Sequence, residues 1–128
     1  MVNDIVQVLT RTKVFAAVSA ANTAAATSGW IDVRGYEGDI AFEISQGIIT
    51  GTVDWTFEDS PNSGGTSNVA IVPIGGNLAQ ITTANDDAIY TAVFPATQPR
   101  GWMRIIGTVG TGPALIAVTI IGLKKYAT

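Results

Sequence analysis

The chain has 128 residues; 47% are hydrophobic, only 13% are charged, and cysteine and histidine are both absent. That length suits one domain whose core needs no disulfide or metal staple. The missing residues exclude Ser-His-Asp and Cys-His catalysis and ordinary zinc sites, and a net charge of -3 argues against a nucleic-acid binder.

The kind of apolar residue sets the fold class. Fifteen Ile, twelve Val and sixteen Thr stand against four Leu. β-branched side chains are stiff at χ1 and suit a pleated surface, so the chain is predicted to be mainly β. From the N-terminus, Ile5 to Val18 reads as one or two strands. A signal peptide is not expected there, because Asp4 and Gln7 occupy the place of a basic leader segment. The Ala-rich stretch from Ala16 to Ala26 fits a short helix or an extended arm, and Trp30 to Val33 a short strand.

Alternation is clearest in the middle of the chain. Ile40, Phe42 and Ile44 share one strand face, with Ala41, Glu43 and Ser45 on the other. Ile48 to Gly51 reads as a connection or a short bulged piece. Val53, Trp55 and Phe57 then form the inner face of a second strand, with Asp54 and Glu58 outside. Pro61 to Asn68 is a loop by composition. Val69 to Ile74 and Leu78 to Thr83 are shorter strand candidates, Ala84 to Asp87 is a turn, and Ile89 to Phe94 is a strand that stops at Pro95. Trp102 to Val109 and Ala114 to Leu123 flank Gly110-Thr111-Gly112-Pro113, which predicts a hairpin. Ile105 to Leu123 is uncharged and long enough for a transmembrane helix, but its central glycines and proline favour the hairpin. Seven to nine short strands with regular turn signals describe an antiparallel sandwich or barrel. Residues 1–27 form an N-terminal strand or extended arm, and 28–128 the core of a single domain.

Catalysis has few routes in such a chain. Asp54, Glu58 and Asp59 are near one another, but a solvated outer face explains the first two without a carboxylate mechanism. Asp86-Asp87 lacks the Asp-x-Asp-x-Asp pattern of a calcium loop, and Gly64-Gly65 and Gly75-Gly76 lack the Lys-Ser/Thr of a phosphate loop. The reading is a protein that is no enzyme, with no metal and no cofactor. Trp30, Trp55, Trp102, Tyr36, Tyr90 and Tyr126 raise the alternative of a carbohydrate platform, although Trp55 alternates with core residues. Arg34 and Arg104 are lone cations among neutral neighbours, suited to forked bonds with Asp32, Glu37 or Asp54. Trp30, Arg34, Tyr36, Trp102 and Arg104 are the candidate interface residues.

These segments carry a resemblance. Trp30-Ile31-Asp32-Val33-Arg34-Gly35-Tyr36-Glu37-Gly38, the strand with Ile40, Phe42 and Ile44, and Gly51 to Ser60 resemble small structural proteins of tailed bacteriophages. In those proteins an Asp-x-x-Gly-Tyr-Glu turn leads into a strand, a Gly-Thr strand ending in Glu-Ser/Asp follows, and a Tyr/Trp-x-Arg hairpin closes the chain. Here the ending is Trp102-Met103-Arg104 to Val109 and Ile120 to Leu123. Between Pro61 and Gln80 the pattern is lost. The resemblance implies a jelly-roll-like β-sandwich on the virion, most similar to head decoration or cement proteins. Such a protein clamps neighbouring major capsid subunits from outside the assembled head. Its partners would be the phage major capsid protein and further copies of itself, as a homodimer or homotrimer, with no nucleic acid and no membrane. The arm at 1–27 and the loop at 61–68 are the parts expected to reach over neighbours. A head-completion, collar or tail protein, or a small carbohydrate-binding module, are the alternatives.

Overall fold

The computed structural model describes residues 9–20 and 25–124. They form ten strands: β1 (Leu9–Ala20), β2 (Ala25–Thr27), β3 (Ile31–Asp32), β4 (Tyr36–Ile49), β5 (Thr52–Ser60), β6 (Val69–Ile71), β7 (Ile81–Thr82), β8 (Ala88–Pro95), β9 (Trp102–Val109) and β10 (Ala114–Lys124). The fold is all-β with antiparallel sheets, as the abundance of β-branched residues predicts. The first sheet has the order β1-β10-β4-β8, the second β2-β9-β5-β6. β3 follows β2 along one edge of β9, and β7 joins β6 along one edge of β5.

Alternation decides what the sheets bury between them. Ile40, Phe42 and Ile44 of β4, Val53, Trp55 and Phe57 of β5, Met103 and Ile105 of β9, and Val118 and Ile120 of β10 are all buried. Phe57 of the second sheet meets Phe42 and Phe94 of the first at 5.3 and 4.9 Å between ring centres. Tilted and edge-on aromatic pairs of this kind add about 0.5–1.5 kcal/mol each beyond the area they bury. Gln46 sets a polar group into this interior. The Trp55 indole N–H donates across the sheets to Gln46 Oε1 at 3.3 Å, while Gln46 Nε2 donates to the Leu115 carbonyl at 3.1 Å.

Three sequence expectations are changed or decided. The predicted hairpin from Trp102 to Leu123 is not one: both strands exist, but β9 lies in the second sheet and β10 in the first. The Gly110–Pro113 turn crosses the sandwich, side by side with the β4–β5 link. Gly110 N–H donates to the Thr52 carbonyl at 2.9 Å, and Thr50 N–H to the Pro113 carbonyl at 3.3 Å. Gly51 makes this contact possible, because a Cβ there would stand 2.5 Å from Thr111 Cβ. Secondly, β4 continues through Ile49, so Gly47-Ile48 is the bulged alternative: the register slips from Ile116↔Gln46 to Ala114↔Ile49. Thirdly, the strand candidates after the 61–68 loop shrink to Val69–Ile71 and Ile81–Thr82. Val72-Pro73-Ile74 instead reaches the first sheet, where Ile74 N–H donates to the Val93 carbonyl at 2.8 Å.

The N-terminal segment joins both sheets. β1 pairs with β10 from Leu9↔Leu123 to Ala20↔Ala114, and β2 pairs with β9. The Ala-rich stretch is therefore strand where it is described, at Ala16–Ala20 and Ala25–Ala26, and not helix. The start of the proposed arm (1–8), residues 21–24 and the C-terminal 125–128 lie outside the described residues. No helix among the described residues is long and apolar enough to cross a membrane.

Candidate functional site

The outer face of the second sheet gathers most of the singled-out side chains. On β9, Met103 and Ile105 turn inward, so Trp102 and Arg104 turn outward. The ladder then sets their neighbours: Arg104 lies opposite Glu58, and Trp102 lies between Ser60 on β5 and Asp32 on β3.

Two guanidinium–indole stacks result. Arg104 sits over the Trp30 ring at 4.7 Å and binds Glu58 Oε2 through Nη2 at 2.6 Å and Nε at 2.7 Å. Asn68 Nδ2 donates to the same oxygen at 2.9 Å. Arg34 sits over the Trp102 ring at 5.1 Å and grips Asp32 with two parallel bonds, Nε to Oδ1 at 2.9 Å and Nη2 to Oδ2 at 2.8 Å. Asp32 raises the Arg34 pKa, first through these hydrogen bonds and then through charge attraction. Each cation on this face is thus matched by a carboxylate and lies over an aromatic ring.

The 61–68 loop closes over one side of this face. Asn62 Oδ1 accepts the N–H groups of Gly64 at 3.1 Å and Thr66 at 3.3 Å, and Ser60 Oγ donates to the Thr66 carbonyl at 2.8 Å. These bonds press Gly65 onto the Trp30 indole, and Gly65 has φ +75° with no room for a Cβ. A third arginine anchors the far end of the loop. Arg100 binds Asp59 through Nη2 at 2.8 Å and donates to the Ser67 carbonyl at 2.8 Å. Its pKa is raised chiefly by hydrogen bonding to Asp59, with burial opposing the shift.

Of the five candidate residues, Trp30, Arg34, Trp102 and Arg104 come together here. Tyr36 does not: it is 3% exposed, and its ring fills the space over Gly122. Arg34 takes the expected Asp32, but Arg104 takes Glu58 rather than Asp54, whose Oδ2 accepts from Gln80 Nε2 at 2.9 Å. The Arg100–Asp59 pair went unread in the sequence. Its signal was available, since Asp59 continues the inward series Val53, Trp55, Phe57, and a carboxylate on an inward face needs a partner. Trp55 is a core residue, and Tyr126 lies outside the described residues.

Asp86 Oδ2 accepts the Ile49 N–H at 3.0 Å, which ties the 84–87 turn to the end of β4. Among the described residues no three His, Cys, Asp or Glu side chains gather as a metal site. No protein-family model matches the chain, and no curated protein matches its sequence.

Proposed function

We propose that the chain is a structural virion protein that binds the outside of an assembled phage capsid and clamps neighbouring major capsid subunits. The observation that carries this reading is the outer face of the second sheet. Trp and Arg are the residues that dominate binding energy at protein interfaces. Here two of each are held in fixed stacks, with their charges already matched inside the chain. Such a face can be covered without burying an unpaired charge, which is the costly event in docking.

The strand order gives further support. A four-stranded sheet packed on a six-stranded one, with β1 beside β10 and with β4, β5, β8, β9 and β10 alternating between the two, is compatible with a jelly roll. The indole faces count against the carbohydrate alternative, since Arg104 and Arg34 already occupy them.

Mass spectrometry of purified particles from the phage encoding this chain tests the proposal. Copy number comparable with that of the major capsid protein is expected. A single ring's worth of copies would instead indicate a head-completion, collar or tail protein, and absence from the particle would overturn the virion reading.

A further inference from the structure

Each sheet edge is an opportunity for another chain to add a strand, and proteins guard such edges by shortness or by charge. In the second sheet the edge strands β2, β3, β6 and β7 have only two or three residues each. In the first sheet, β1 carries the exposed Arg11 and Lys13. β8 has neither protection: its eight residues, Ala-Ile-Tyr-Thr-Ala-Val-Phe-Pro, include no charge.

The free side of β8 can be read from its hydrogen bonds. Alternate residues of a strand point their N–H and C=O to the same side. The Val93 carbonyl receives Ile74 N–H from beyond the sheet edge, so Ile89 and Thr91 also direct their backbone groups outward. Of these three residues only Val93 receives a backbone hydrogen bond from beyond the sheet edge, from the 72–74 segment. At the other end, Asp87 turns away, its N–H donating to the Gly47 carbonyl at 3.3 Å. The open window is therefore Ala88 to Ala92, and it is symmetric about Tyr90.

We infer that β8 pairs with β8 of a second copy across a two-fold axis at Tyr90. In this register Ile89 of one copy exchanges hydrogen bonds in both directions with Thr91 of the other, and the two Tyr90 residues face each other as the non-hydrogen-bonded pair. The window accepts this partner because both strands end where the other is blocked. A longer foreign strand would run into the 72–74 segment at one end and the Asp86-Asp87 turn at the other. The outer face beside the seam mixes polar Thr91, Ser45 and Glu43 with exposed apolar side chains. Ile89 is 66% exposed, and the β4 bulge brings out Ile48, 67% exposed, opposite Leu115, 49% exposed. A seam this short buries less than the roughly 800 Å² per partner of a standard interface, so the dimer is weak and concentration-dependent.

This inference stands apart from the virion reading and is tested on the isolated protein. Sedimentation velocity over a concentration series is expected to show reversible dimerisation. Thr91→Pro removes an outward N–H without touching the β4 ladder, and is expected to weaken association at least about tenfold with the thermal midpoint kept. A wild type that stays monomeric at its highest concentration overturns the inference, as does dimerisation unchanged in a folded Thr91→Pro. Should that variant not fold, cross-linking decides. The chain has no cysteine, and non-hydrogen-bonded antiparallel partners stand about 4.5 Å apart at Cα, within disulfide reach. Tyr90→Cys is then expected to form dimers under oxidation much faster than Thr108→Cys on the opposite sheet. Equal rates overturn the inference.

Discussion

Gln46 occupies an inward position where alternation calls for an apolar side chain, and it is 2% exposed. It is tolerated because its amide has partners on both sides, the Trp55 indole N–H and the Leu115 carbonyl. Among the described residues no buried side-chain nitrogen or oxygen lacks a partner. Gln46→Leu would leave the indole N–H buried without an acceptor, a loss of about 1–3 kcal/mol in unfolding free energy; urea titration followed by tryptophan fluorescence measures it. Individual pairings at this scale were legible only where they are local. Asp32 and Arg34 are two residues apart, and their bond follows from the sequence. Arg104 and Glu58 are joined by the β5–β9 register, and Arg100 and Asp59 by a loop returning to the end of β5, neither of which a single sequence prints.

The strands themselves were legible because period-two alternation marks both their existence and their buried face, as in β4, β5 and β9. Which strands pair was not. Glycine- and proline-rich turns look alike in sequence whether they fold a strand back beside itself or carry it to the opposite sheet. At 110–113 the second happens, because β9 takes β5 as its partner and β10 takes β4. The two crossing links stabilise each other through close backbone contact at Gly51. Gly51→Ala would set a methyl 2.6 Å from the Thr111 carbonyl oxygen. The expected cost is about 1–3 kcal/mol, typical of overpacking. Gly29→Ala, where nothing lies within 4 Å, is expected to stay within about 0.5 kcal/mol of wild type, as surface changes do. Thermal denaturation of the two variants side by side checks the contrast.

For the molecule as a whole, charge is sparse and paired rather than spread. Arg34 and Arg100 have raised pKa values, so whatever their carboxylate partners contribute through them is present throughout neutral pH and falls away as pH rises through the arginine range. With no histidine and no cysteine, no side chain of ordinary pKa titrates between pH 6 and 9. Unfolding free energy is expected to vary by less than about 0.5 kcal/mol across that interval, as urea midpoints at several pH values would show. The position of β10 has a consequence for synthesis. It lies between β1 and β4, so β1 has no hydrogen-bonding neighbour in its sheet until β10, far later in the chain, has left the ribosome. The first sheet cannot close around a chain that stops short of β10.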